Sequence, residues 1–396
     1  MILLTILTIL LEALLALMVA YLLLLTLGAL FGRRTTPRTG QPQTRFAILV
    51  PAHNEERLLP ELLASLRAQA YPSNLLRVFV VADNCTDRTA EIARQGGATA
   101  FERQNQLQVG KGYALNWLLE QITAAVGQDA FDAFVIFDAD TIADAHFLEV
   151  MDAHLHAGEN AIQGYYAVRD PGQSWGVALR YAALAVLHYL RPLGRGRFGG
   201  SAGLKGNGMC FRASLYRWKP WSGSVTEDIE YHMALLLEGQ RVNFAPDARL
   251  EAEMPGTLKS STTQNVRWES GRLQAARVYV PRLLARLAKG QPFLYLDAVM
   301  EHLIPPTAMV ILGVAVCLLL GGLVGWLGGG WTLLQVGLGL LVGLALYIAC
   351  GLAMVKAPAK VWLSLLYAPF YALWKMVLLV KMILGRQKQG WVRTQR

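Results

Sequence analysis

Apolar positions in this chain fall into two patterns. Residues 3–30 form an almost unbroken apolar run. A membrane span needs ~20 such residues. The run lacks a basic start and exceeds a signal peptide's apolar core of about 7–15 residues, so it reads as a retained span. Two further spans fit residues 304–327 and 331–354, separated by Gly328-Gly329-Gly330. Between the first span and these two, short apolar runs alternate with helical periodicity over 45–258. That alternation predicts strand–helix units and a largely parallel α/β sheet.

Within that stretch FAILVPA (46–52) predicts a first strand and residues 55–70 a helix with Leu58, Leu59, Leu62, Leu63 and Leu66 on one face. LRVFVVAD (76–83) predicts a second strand, Thr86–Arg94 a helix and ATAFE (98–102) a short third strand. GYALNWLLEQITAAV (112–126) predicts an amphipathic helix, FVIF (134–137) a central strand and 144–155 a helix. Residues 174–191 read as an apolar helix too short to span. Residues 268–289 set five basic residues against six apolar ones, the pattern of a helix lying in a membrane interface. Residues 357–385 are apolar enough to span but hold Pro358, Pro369, Lys375 and Lys381. The expected segments are therefore 1–32 (first span), 33–44 (linker), 45–258 (α/β domain), 259–302 (helical segment with the interfacial helix), 303–356 (two spans) and 357–396 (interfacial, re-entrant or fourth membrane helix, with a basic tail).

Composition sharpens the membrane reading. Only 16% of residues are charged, against ~25% in soluble domains. Residues 1–32 carry one charge, Glu12, and 303–354 none. The net charge of +9 is concentrated beside the apolar segments. Arg33, Arg34 and Arg38 follow the first span, and Lys381, Arg386, Lys388, Arg393 and Arg396 close the sequence with no acid among them. Such clusters read as cytoplasmic flanks contacting anionic lipid, not as a nucleic-acid surface, because no zinc-ligand spacing or RNA-binding aromatic motif accompanies them. The expectation is a multi-pass protein of the cytoplasmic membrane with its α/β domain and C-terminus in the cytosol. Cys85, Cys210, Cys317 and Cys350 form no C-x-x-C pair, which suits a reducing compartment.

Candidate chemistry lies at the strand ends, where parallel sheets bind ligands. The first strand delivers Pro51, Ala52, His53, Asn54 and Glu55, the second Asp83, and the central strand Asp138. Asn54, Thr86 and Asp87 also suit helix starts, but three strands carrying acids and amides to one rim point to a site. Asp138 and Asp140 would share a side in extended chain and repel unless a cation intervenes. Hard ions such as Mg²⁺ or Mn²⁺ favour such carboxylates together with phosphate oxygens. Lys111, between two glycines at a helix start, suits a phosphate or carbonyl oxygen. In SVTEDIEYHMALLLEG (224–239) Thr226 suits an N-cap, and Asp228 suits either the helix dipole or a general base. Gln264, Arg267 and Trp268 share one helical face; arginine offers phosphate a planar fork and tryptophan a flat surface for a sugar ring.

The ordered set P-A-H-N-E, Asp83, Lys-Gly, D-A-D, T-E-D and Q-N-V-R-W resembles the membrane-anchored family 2 inverting glycosyltransferases of GT-A fold. That group includes cellulose, chitin, hyaluronan and poly-N-acetylglucosamine synthases and ceramide glucosyltransferase. The resemblance covers about 45–290 and the flanking spans. It implies that Pro51, Ala52, Asn54, Glu55, Asp83 and Lys111 hold the nucleotide of a UDP-sugar. It implies that Asp138 contacts the nucleotide-sugar and, with Asp140, the Mg²⁺ or Mn²⁺. Asp228 would be the catalytic base with Glu227 beside it. Gln264, Arg267 and Trp268 would grip the diphosphate, and Trp268 would also line the acceptor site with Gly206, Asn207 and Gly208, in the loop that continues to Met209. The implied activity is hexosyl transfer from a UDP-sugar to form a β-linkage, polysaccharide-synthase-like, on a glycan acceptor. The alternative is single transfer to a lipid such as ceramide or diacylglycerol. The membrane part departs from the processive synthases, since cellulose synthase has more spans, enough to line a polymer channel.

Overall fold

The computed structural model describes residues 1–32 and 41–385 of the 396-residue chain. The basic residues expected at 33–38 and 386–396, and most of the linker, lie outside the described residues. The chain opens with α1 (Ile2–Phe31), then β1 (Phe46–Ala52), α2 (Leu59–Arg67), β2 (Leu76–Asp83), α3 (Thr89–Gln95), β3 (Thr99–Arg103), α4 (Lys111–Val126) and β4 (Ala133–Ile136). It continues through β5 (Thr141–Ala143), α5 (Phe147–His156), β6 (Ala161–Val168), α6 (Trp175–Ala185), α7 (Arg191–Arg197), β7 (Met209–Arg212), α8 (Ala213–Tyr216), α9 (Glu227–Leu237) and β8 (Asn243–Ala252). The remainder is helical: α10 (Leu258–Arg286), α11 (Pro292–Leu303), α12 (Thr307–Val324), α13 (Thr332–Met354), α14 (Ala359–Ser364) and α15 (Ala368–Ile383).

The eight strands form one sheet in the order β3-β2-β1-β4-β7-β6-β8-β5. β3, β2, β1 and β4 run parallel to one another, as expected. The other half is mixed: β7 runs antiparallel to β4 and β6, β6 pairs β8 in parallel, and β5 is antiparallel to β8. Alternation along β1 explains its burial on both faces. Phe46, Ile48 and Val50 pack with Leu59, Leu62, Leu63 and Leu66 of α2. Ala47 and Leu49 pack with Ala114, Leu115, Leu118 and Ile122 of α4. Register pairs Ala52 of β1 with Ala82 of β2 and Leu49 with Ile136 of β4. The three carboxyl ends therefore stand side by side.

The long apolar helices pack on this domain rather than trailing from it. Leu15, Val19 and Leu22 of α1 share a cluster with Val310, Val314 and Cys317 of α12 and Leu340, Leu344 and Tyr347 of α13. α1 also lies tight on α7, where a methyl on Gly194 would meet the Leu25 carbonyl at 2.1 Å. Among the described residues four helical segments are long and apolar enough to cross a membrane: Ile2–Phe31, Thr307–Gly329, Thr332–Met354 and Ala359–Met382. By length and composition, the segment read from sequence as interfacial or re-entrant thus joins the other three. The expected interfacial helix is the second half of α10, a single 29-residue helix that also carries Gln264–Trp268. Its Leu283 is buried against Met233 and Leu236 of α9, while Leu273, Val278 and Leu284 stay exposed.

Candidate active site

The rim is built by turns that only small polar residues adopt easily. Asn54 and Asn84, just past β1 and β2, have positive φ of 56° and 53°, a conformation that asparagine tolerates better than most residues. Asn54 Oδ1 accepts from the Thr86 amide (2.8 Å), and His53 Nδ1 lies 2.7 Å from the Asp83 carbonyl. These bonds lock the two strand ends together. Thr86 does not cap the following helix, whose N-cap position is Arg88; Asp87 just before it accepts from the Thr89 amide at 3.0 Å. Asp83 is held by Arg103 (2.6 Å) in a pair with both side chains buried. Pro51, Ala52, Glu55 and Asp83 line one cavity of about 670 Å³. Asn54 lies behind its wall as a brace.

Asp138–Asp140 is a turn rather than extended chain, with the Thr141 amide donating to the Asp138 carbonyl (3.2 Å). Both carboxylates nevertheless line the cavity, Asp140 nearly buried and Asp138 partly exposed. The turn is held from behind by Asn207. Its Oδ1 accepts from the Asp138 amide (3.1 Å) and its Nδ2 donates to Thr141 Oγ1 (2.8 Å). Asn207 is fully buried, so it and Gly208 shape the site without lining it, unlike Gly206. Lys111 Nζ donates to Asp138 (2.5 Å) and to the Gly206 carbonyl (2.5 Å). Burial alone would lower the Lys111 pKa, but the charges of Asp138 and Glu227 outweigh it and raise it.

Glu227 and Asp228 open α9 across the cavity. Thr226 occupies the N-cap position but makes no capping bond through its side chain. It is pressed by α10, where a methyl on Gly271 would meet Thr226 Cγ2 at 2.2 Å. Asp228 Oδ1 accepts its neighbour Ile229's amide (2.8 Å). Burial raises the Asp228 pKa against the lowering charges of Lys111 and Lys205. Burial and the adjacent Asp228 push Glu227 up to about 7. The buried acidic pair is thus raised at both members, an environment in which one carboxylate can serve as a general base. From α10, Gln264, Arg267 and Trp268 all reach the same cavity.

Sequence reasoning missed the other half of the lining. Lys205, which precedes the Gly206 turn, pairs with Glu301 of α11 (3.4 Å), and Glu301 also binds the fully buried Arg195. Gln163, buried in β6, donates to the Asn207 carbonyl (2.8 Å) and accepts from the Lys205 amide (2.9 Å). Lys375 of α15 bonds Glu269 (3.0 Å) and Asn265 (3.1 Å) on α10. A lysine inside an apolar run is a signal of function or pairing, and it was legible. The far wall runs over Ala183, Leu184 and Leu187 to Ile304, Pro305, Pro306 and Thr307, where α12 begins.

A family description, "Glycosyltransferase like family 2", matches residues 42–271. The chain belongs to this family. It is similar to an N-acetylglucosaminyltransferase of Rhizobium meliloti, 27% identical over 67% of this chain and 64% of the relative. It is also similar to a beta-monoglucosyldiacylglycerol synthase of Nostoc sp., 25% identical over 72% of this chain and 61% of the relative. The chain thus spans under two thirds of the length of these curated relatives. Among solved structures it resembles the mannosyltransferase PcManGT from Pyrobaculum calidifontis, in complex with GDP-Man and Mn²⁺, at 17% identity and a TM-score of 0.52, covering 95% of this chain and all of that one. This likeness shows the fold of this family 2 glycosyltransferase to be GT-A, as its motifs led one to expect.

Among the described residues no three His, Cys, Asp or Glu side chains gather as a complete metal site. The Asp138 and Asp140 carboxylates, on one turn, both line the cavity. That set fits a hard divalent ion completing its shell with phosphate oxygens and water, as Mg²⁺ does in nucleotide sites. It does not fit a self-contained zinc centre.

Proposed function

We propose that this family 2 glycosyltransferase moves a sugar from a UDP-sugar to a hydroxyl of a membrane lipid, with inversion, at the cytosolic face of the cytoplasmic membrane. The observation that carries the reading is the continuity of the cavity. One volume holds the strand-end rim, the Glu227–Asp228 pair and the apolar wall at the foot of the α12 span. The Nostoc relative's name, beta-monoglucosyldiacylglycerol synthase, supports the same reading.

In this scheme Pro51, Ala52, Glu55 and Asp83 seat the nucleotide, with Asn54 bracing the rim. A Mg²⁺ or Mn²⁺ held by Asp140 and Asp138 would neutralise diphosphate charge. Asp228 takes the proton from the acceptor hydroxyl as its oxygen attacks the anomeric carbon. The bond from that carbon to the diphosphate oxygen breaks, and UDP leaves. Lys111 and Arg267 stabilise the departing charge, and Gln264 orients the diphosphate. Trp268 and the Gly206 turn confine the sugar near the attacking oxygen. Glu227, raised by burial and by Asp228, holds its proton more readily than an ordinary glutamate and so limits negative charge beside Asp228.

A glycan acceptor, with chain extension, is a second reading favoured by the N-acetylglucosaminyltransferase relative. The test is a screen of UDP-sugars for UDP release by the purified full chain, with and without added diacylglycerol. Lipid-stimulated release that Asp228→Asn abolishes supports the proposal. Release insensitive to Asp228→Asn overturns the catalytic assignment.

A further inference from the structure

The membrane-side wall contains cations that the scheme above leaves unused. Arg180 of α6 lines the cavity and is only 6% exposed. It donates to Gln264 Oε1 (2.7 Å) and approaches Met254 Sδ (3.7 Å). Among the described residues no carboxylate pairs with it. Burial lowers its pKa, and the groups that oppose this are the tyrosines Tyr371 and Tyr166. Arg191, one segment further along the same wall, is also buried; its side chain bonds the Tyr347 hydroxyl (2.6 Å) and faces that ring, and among the described residues no carboxylate pairs with it.

Most other cavity cations differ: Lys111 has Asp138, Lys205 has Glu301, and Lys375 shares Glu269 with Arg272. Among the described residues Arg267 also has no carboxylate partner, but the scheme above already places it on the donor diphosphate. Taking a guanidinium out of water without a counter-ion is expensive. A fold keeps such a group where an anion arrives. The donor diphosphate already has Lys111, Arg267 and the metal site on its own side. Arg180 instead lies among Ala183, Leu184 and Leu187 on the wall leading to the spans.

We propose that Arg180 is the headgroup reader of the acceptor subsite, selecting a lipid that carries an anion, phosphate or carboxylate, close to its apolar tail. The proposal rests on the lipid-acceptor reading and makes it specific. The anion would seat on Arg180 as a charge-assisted bidentate pair, Gln264 would be the hinge between acceptor and donor, and Ala183, Leu184 and Leu187 would cover the first tail carbons.

The experiment is thermal stabilisation of the purified full chain in an uncharged detergent. Matched lipids isolate the charge: phosphatidic acid against diacylglycerol, and oleic acid against oleyl alcohol. Inorganic phosphate serves as the free-anion arm. The expected result is tighter binding of at least one acidic lipid than of its neutral partner. That preference should fall by about tenfold or more in Arg180→Gln and persist in part in Arg180→Lys. Equal binding of acidic and neutral lipids by the unmodified chain overturns the proposal, as does a preference that survives Arg180→Gln. Inorganic phosphate matching the acidic lipids also overturns it, in favour of a free-anion site. UDP affinity is measured in parallel: if Arg180→Gln weakens UDP as much as lipid, Arg180 belongs to the donor side and the proposal fails. Diacylglycerol-stimulated UDP release would still support the lipid-acceptor reading if the charge preference failed, so the two claims fall separately.

Discussion

Gly206 and Asp228 face each other across the cavity so closely that a methyl group on Gly206 would lie 3.3 Å from Asp228 Oδ2. Gly206 also has a φ of +77°, where a side chain costs ~1–2 kcal/mol. Gly206→Ala should therefore strain the turn and shift the Asp228 carboxylate. The expected result is a kcat lowered by about tenfold to a hundredfold with a smaller loss in thermal stability. A normal kcat would mean that the turn yields without moving Asp228.

Asn207 positions chemistry it does not touch. Its side chain fixes the Asp138 amide and Thr141 hydroxyl while fully buried. Asn207→Ala leaves those groups unsatisfied, at about 1–3 kcal/mol. It should also loosen the turn that presents Asp138 and Asp140. The metal concentration needed for half-maximal activity should rise along with the loss of stability seen in a melting curve. A stability loss with unchanged metal dependence would reduce Asn207 to a structural role.

The pH dependence follows from the raised acids. Glu227 lies near 7 instead of the usual 4.5, and Asp228 is also raised. The folded state thus holds protons that the unfolded chain has already lost. Their contribution to stability is full below the ordinary carboxylate pKa and disappears as pH rises through about 7 for Glu227. Activity should run the other way, with kcat/KM rising as Asp228 loses its proton. Lys205 lowers the Asp228 pKa, so Lys205→Gln should move that rising limb to higher pH. A limb that stays in place after Lys205→Gln would remove Lys205 from the electrostatics of the base.

Lys375 and Glu269 join α15 to the α10 helix through a pair with side chains 11% and 9% exposed. Removing one partner strands a buried charge, so Glu269→Gln should cost about 3–5 kcal/mol. Adding Lys375→Met should recover part of the loss. Melting curves in detergent measure both, and additive losses would show that the pair is not coupled.

The strand-end rim was legible because it is local: each acid or amide directly follows a buried run, and β1, β2 and β4 pair in parallel as their apolar patterns implied. The ordered motifs also identified α9 and α10 as suppliers of Asp228 and Arg267. What could not be read was long-range. Asn54 and Asn207 share motifs with lining residues, and only the folded backbone shows that their side chains brace from behind. Arg195 and Glu301 are far apart in sequence and ordinary in context, so their ion pair has no local signature. Lys375 stood out in the apolar run 357–385, but its partner Glu269 lies over a hundred residues earlier and could not be read from local sequence.

The most direct test of lipid-acceptor transfer is the product itself. The purified full chain is incubated with labelled UDP-sugar, Mg²⁺ or Mn²⁺ and membrane lipid, and the label is followed by thin-layer chromatography and gel filtration. The expected product is a single lipid-mobile glycolipid, absent with Asp228→Asn. A ladder of water-soluble or polymeric glycan, with no label in lipid, would contradict the account.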